Sequence, residues 1–333
     1  MDLRNSTPFV AAPFFMMDRR GAETLVVIIK ETWRITSSGT LTIADKQVPI
    51  QLAPQYSGEP GSSSLLDDTD LVLEKPGTDC VLLGHACAPR ENATHVDVTF
   101  AAGAVRKQAR VFGERVWSKT LGICSISRPA PFRKIPLTWE RAFGGKDTTW
   151  QNPDGHEFFS ENPVGTGYLA RRSTKEIDGL SLPNIENPAE LIKKPHDRPA
   201  PVGFSMIPPY WPPRSRYAGT YDDTWRESMS PLPPADLDPR FYSAAAPGLI
   251  SQPHLTGGER VLVEGVTPQG HLQFCLPGHT PKVKVRRRQG EEELRLRLDT
   301  IVVEPDDERV VLVWRVAVNV HCRIHETGPV RVE

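Results

Sequence analysis

The sequence predicts a mainly β protein: an antiparallel sandwich or barrel-like set of sheets from its first and last thirds, a long irregular middle segment, and little helix. Two observations carry this reading. Short apolar runs, several alternating strictly with polar residues, recur on both sides of the centre and are separated by Gly, Pro and Asp turns. Between them, twenty of the 32 prolines lie from Pro129 to Pro253. Proline fixes φ and removes a backbone donor, so this middle can be neither long helix nor central strand.

In the first third, residues 25–29 form a continuous apolar run that leads into Lys30-Glu31-Thr32-Trp33-Arg34-Ile35, where large residues alternate. Gly39 then turns the chain toward Leu41 and Ile43. Residues 78–86 read as another apolar strand. Val96, Val98 and Phe100 share one face of the next. After a turn at 101–103, Val105, Lys107, Ala109 and Val111 oppose Arg106, Gln108 and Arg110, which makes a hairpin. The last third predicts three more. Residues 260–263 pair with 271–276, residues 282–288 with 294–298 around Gln289-Gly290, and residues 300–303 with 309–318 across Glu304-Pro305-Asp306-Asp307. Helical windows are short: 137–141, 188–193 and 221–229. The resulting regions are 1–127, 128–254 and 255–333, expected to pack as one unit.

Composition narrows the function. Lys+Arg 40 against Asp+Glu 41 gives a net charge of -1, which argues against a nucleic-acid partner. The basic run Arg286-Arg287-Arg288 is answered by Glu291, Glu292 and Glu293, as in a charged hairpin. No stretch approaches the ~18 apolar residues that a membrane span needs. The apolar run 9–17 is broken by proline and lacks the features of a secretory leader. Five scattered cysteines (Cys80, Cys87, Cys124, Cys275, Cys322) suit buried thiols in a reducing cytoplasm, the expected location.

Chemical motifs are weak. Gly165-Thr166-Gly167-Tyr168-Leu169-Ala170 matches GxGxxA, but Asn162-Pro163 precedes it where a dinucleotide site needs a strand, so a glycine turn is expected. His321-Cys322 and His325 could form a metal site only with His85 and Cys87; strand-end polar residues are the simpler reading. No catalytic residue, metal or cofactor is assigned. The aromatics of the middle are the stronger signal, because large rigid side chains dominate interfaces. Trp139, Phe143, Trp150, Tyr168, Trp211, Tyr217, Tyr221 and Trp225 alternate with Gly, Pro and Arg. Most should pin the irregular chain as a second core, and two or three left exposed would suffice to bind a partner. The candidate partner-binding residues are Trp139, Phe143, Tyr168, Trp211, Arg214, Tyr217, Tyr221 and Trp225.

An ordered set of motifs adds a resemblance. Asn5-Ser6-Thr7-Pro8-Phe9 is followed by Lys30-Glu31-Thr32-Trp33, Asp70, Lys75-Pro76-Gly77-Thr78-Asp79 and Gly113-Glu114-Arg115-Val116-Trp117. Then come Thr138-Trp139-Glu140-Arg141-Ala142-Phe143-Gly144-Gly145, Glu161-Asn162-Pro163-Val164-Gly165, Leu182-Pro183-Asn184-Ile185-Glu186, Trp211-Pro212-Pro213-Arg214, Gly219-Thr220-Tyr221-Asp222-Asp223-Thr224-Trp225 and Thr256-Gly257-Gly258-Glu259. From about Asn5 to Val318 the chain resembles domain-of-unknown-function family 2169, which travels with bacterial type VI secretion loci. That resemblance implies an adaptor or chaperone that binds an effector carrying a PAAR-like domain and helps load it onto the VgrG spike. It supplies no catalytic residues. The alternative is a hydrolase acting on carbohydrate or peptidoglycan through central carboxylates such as Glu140, Glu186 and Asp222. A third reading is a structural part of the secretion machine.

Overall fold

The computed structural model describes residues 2–333 except 122, 150–151, 153–154, 171–176, 288–289 and 321–327. Its largest sheet has seven strands. Six run in the order Ile250–Ser251, Thr78–Leu82, Arg297–Glu304, Arg309–Asn319, Glu23–Ile35, Val10–Met17, and Leu41–Ile43 pairs with the last residues of Glu23–Ile35. The first and last thirds meet at its centre, where Glu23–Ile35 and Arg309–Asn319 lie antiparallel along their lengths. Thr78–Leu82 pairs in parallel with Arg297–Glu304, an exception to the antiparallel expectation. Parallel neighbours need a long crossover, and here most of the chain supplies it.

Both faces of this sheet are covered, which is why residues 25–29 are continuously apolar and do not alternate. Leu25, Val27 and Ile29 enter the main core. Val26, Ile28 and Val313 pack on the opposite face beneath Phe14, Met16, Ile50, Leu71 and Leu73. That second face also carries buried charge: Lys30, Val313, Thr300 and Asp79 lie side by side across four strands. An isolated buried ion would be very costly, so each is matched. Lys30 Nζ lies 2.9 Å from Asp70, Lys75 Nζ 2.7 Å from Asp79, and Arg315 pairs with Asp299.

A five-stranded sheet runs Ile185–Glu186, Val105–Phe112, His95–Ala102, Arg260–Glu264, His271–Cys275, and a four-stranded sheet runs Leu3–Asn5, Val330–Val332, Val283–Arg287, Gly290–Leu294. One buried cluster draws side chains from all three sheets and from Trp139, Phe204 and Trp211 of the middle. Among the described residues the sheets stay open; none closes into a barrel. The expected hairpins form, with one shift: the partner of Val283–Arg287 begins at Gly290, not at 294, since Arg287 already lies opposite Gly290. It is a charged hairpin, with Arg287 Nε 2.6 Å from Glu292. Arg288 lies outside the described residues.

Helix is scarce, as expected. Asp223–Ser228 is the α-helix among the described residues, capped by Asp222, whose carboxylate accepts from Trp225 N at 2.8 Å. Residues 137–141 give only the 3-10 turn Trp139–Arg141. Residues 188–193 form no helix. There the Ile192 N–H is taken by the Glu186 carboxylate at 2.8 Å, which leaves a single turn. Among the described residues no helix is long and apolar enough to cross a membrane.

Candidate functional site

The middle segment is irregular but fixed, because its largest side chains are anchors. Trp211 is 1% exposed and meets Trp139 edge-on at 6.2 Å, while Trp139 Nε1 donates to Met206 O at 2.8 Å. Arg214 is buried as well. Its guanidinium donates to Asp68 at 2.8 Å, to Ile207 O at 2.6 Å and to Phe241 O at 3.1 Å, tying the segment to the first third. Phe143 belongs to a second buried cluster with Trp117, Leu169 and Leu182, and meets Phe159 at 5.2 Å. Half-buried Tyr168 completes that cluster under Arg198, 4.8 Å above its ring. Trp139, Phe143, Trp211 and Arg214 are therefore buried, Tyr168 is partly covered by Arg198, and the expected contacts that remain most accessible are Tyr217, Tyr221 and Trp225. Trp150 lies outside the described residues.

Those three form a knob. The 3-10 turns Arg214–Tyr217 and Pro239–Tyr242 are joined where Asp238 N donates to Tyr217 O at 3.0 Å, and the loops on either side of the helix Asp223–Ser228 are tied by Asp236, which accepts from Thr220 N at 3.0 Å and Thr220 Oγ1 at 2.8 Å. Arg240 lies 4.2 Å above the Tyr217 ring. Trp225 Nε1 donates to Leu232 O at 2.8 Å, and its indole meets Tyr221 edge-on at 4.7 Å. Tyr221 is 54% exposed. The knob is fastened to the large sheet by Arg19 Nη1, which donates to Leu237 O at 2.8 Å. A cleft of about 250 Å³, lined by Arg19, Arg20, Glu74, Leu237 and Tyr242, separates the two.

Beside the knob runs Val10–Met17, the edge strand of the large sheet. Its inner side pairs with Glu23–Ile35; among the described residues its outer side pairs with nothing. Phe14 and Met16 pack on the second face of the sheet, while Phe15 and Met17, on its other face at the edge, stay exposed, Met17 at 59%. Sequence reasoning missed this strand because Pro13 interrupts its apolar run. Yet a proline inside a strand is tolerated only where one side lacks a partner, so Pro13 was the signal for an edge. An open apolar edge flanked by a rigid aromatic knob can take an extended segment by backbone pairing and hold its side chains by contact.

The central carboxylates are tied into the fold. Glu140 accepts from Ser64 N and Ser64 Oγ, both at 2.6 Å. Burial pushes its carboxyl up, but hydrogen bonds from Ser64 and Thr138 outweigh that and hold it below the ordinary range, unsuited to a proton donor at neutral pH. Glu186 is buried against Arg115, and Asp222 caps its helix. The GxGxxA stretch opens with a two-residue strand, Thr166–Gly167, parallel to Phe143–Gly144, and the described residues after it begin no helix. His85 pairs with Asp306 at 2.9 Å; His321, Cys322 and His325 lie outside the described residues, and no metal-holding group occurs among those described. Cys80 and Cys87 are buried free thiols, whereas Cys275 is exposed. Burial pushes both buried thiols above the ordinary range, which makes them poor nucleophiles.

Comparison with known proteins returns one family. The model of DUF2169, described as an uncharacterized protein conserved in bacteria, matches residues 20–315. No curated protein and no solved structure matches the chain.

Proposed function

Because the chain belongs to the DUF2169 family, we propose the role that its sequence resemblance implied: an accessory protein of type VI secretion that acts in the cytoplasm as an adaptor or chaperone. It binds an effector carrying a PAAR-like domain and helps load it onto the VgrG spike. The observation that supports a binding role is the open edge Val10–Met17 beside the pinned knob of Tyr217, Tyr221 and Trp225. Unpaired backbone groups and exposed apolar side chains are a liability in a protein without a partner. Rigid aromatics lower the entropy cost of binding, because little is left to order. The hydrolase alternative draws no comparable support, since Glu140 is taken up by Ser64, Glu186 by Arg115 and Ile192, and Asp222 by its own helix.

The test is affinity purification of the tagged protein from its bacterial host, beside the double variant Phe15→Lys, Tyr221→Ala. Both side chains are exposed, so melting temperature should be unchanged. Wild type should recover a PAAR-like effector in stoichiometric amount, and the variant at least tenfold less. Recovery of assembled sheath or spike alone would favour the structural reading. Equal recovery by a folded variant would remove this face from the site.

A further inference from the structure

The second face of the large sheet does not meet its cover everywhere. Between the strands Glu23–Ile35, Arg297–Glu304 and Arg309–Asn319 and the covering residues 48–70 lies a cavity of about 410 Å³. Its floor is apolar, with Val302, Val311, Val313 and Met206, and its walls carry Lys30, Lys75, Arg309 and four carboxylates. That size and mixture belong to small-ligand sites, which run from about 300 to 1,000 Å³ with a few convergent polar groups on an apolar surface.

The charges do not balance. Asp70 is held by Lys30 at 2.9 Å, Asp68 by Arg214 at 2.8 Å and Glu304 by Arg309 at 2.9 Å, while Lys75 is committed to Asp79 at 2.7 Å. Asp67 is left over. Among the described residues its carboxylate accepts no hydrogen bond; its nearest cation is Lys30 Nζ at 3.7 Å, already bound to Asp70. Its side chain keeps 29% exposure, enough to be reached from outside. We propose that this cavity binds a cationic group on a short apolar stem, an alkylammonium or guanidinium, with Asp67 as its counter-ion and Val302, Val311 and Val313 against the stem. A carboxylate or phosphate would add like charge to Asp67. A metal ion would need ligands that converge, and no three described His, Cys, Asp or Glu residues do so. Burial, chiefly, pushes the Asp67 carboxyl up to about 6 despite Lys30, a cost that an incoming cation would relieve. This site is independent of the adaptor role. The cation could belong to a free amine or to a Lys or Arg side chain of a bound protein.

Calorimetric titration of the full chain with n-butylamine, n-butanol and butyrate at pH 8 tests it. Only butylamine should bind saturably, with at least tenfold loss in Asp67→Asn. In wild type its affinity should fall about tenfold per pH unit below pH 6, as Asp67 takes up a proton, a readout that needs no variant. Competition by the blocked tripeptide acetyl-Gly-Lys-Gly-amide would assign the site to a protein side chain. Binding of butylamine without competition would assign it to a free amine. Butylamine that does not bind, binds no better than butanol, or binds folded Asp67→Asn equally would overturn the proposal.

Discussion

At the scale of single residues, Asp67 and Glu140 illustrate opposite consequences of burial. Glu140 is matched by hydrogen-bond donors, so its ionised form is favoured by folding, and its contribution is present at neutral pH and fades in acid. Asp67 is not matched, and its carboxyl rises from the ordinary 3.8 to about 6. A carboxyl raised on folding binds more protons in the folded chain between roughly pH 4 and 6, so its ionisation opposes folding above that window. Asp67→Asn should therefore raise the melting temperature at pH 7.5, with the gain shrinking toward pH 4.5. A gain that does not depend on pH, or a loss at pH 7.5, would contradict this account of Asp67. Nothing in the sequence singled out Asp67, because its weak pairing depends on how Lys30 and Arg214, both distant in the chain, are shared out among Asp67, Asp68 and Asp70.

At the scale of elements, the motifs behind the family resemblance are mostly explained by how the chain is fastened together. Lys30–Asp70, Lys75–Asp79, Arg115–Glu186 and Arg214–Asp68 are buried ion pairs, each with at least one member in such a motif. The glycine pair Gly144-Gly145 has an equally local cause. A side-chain carbon at Gly145 would lie 2.0 Å from Gly165 O, and its φ of 88° suits glycine alone. Asn162 locks the same contact by donating to Trp139 O and Phe143 O at 2.9 and 3.0 Å. Gly145→Ala should cost about 3 kcal/mol in urea unfolding, near the top of the range for backbone strain. A cost below about 0.5 kcal/mol would mean that the two backbones do not approach so closely.

At the scale of the whole molecule, the first third is not self-sufficient. Glu23–Ile35 has Arg309–Asn319 along one side, and Thr78–Leu82 reaches the sheet only through Arg297–Glu304. A fragment of residues 1–127 would leave one side of Glu23–Ile35 without its pairing strand and strip much of the main core from one face. It should give no cooperative thermal transition by circular dichroism, and adding a fragment of residues 128–333 should restore one. A cooperative transition in the 1–127 fragment alone would make that region an independent domain.

The sequence by itself determined the β class, the hairpins 95–112, 260–275 and 297–319, the scarcity of helix and the fixed, aromatic-anchored middle. Each rests on local information: period-two alternation, turn residues, or the geometry of proline. Only the tertiary structure decided which aromatics became anchors and which stayed exposed. Trp211 and Tyr221 belong to the same irregular middle segment, yet one is buried against Trp139 and the other stands on the surface. It also decided that, among the described residues, Val10–Met17 is an open edge, and that one carboxylate in the wall of a cavity must share its nearest cation with a closer neighbour. These depend on which distant segments meet, and burial and charge balance belong to the assembled surfaces, not to any stretch of chain.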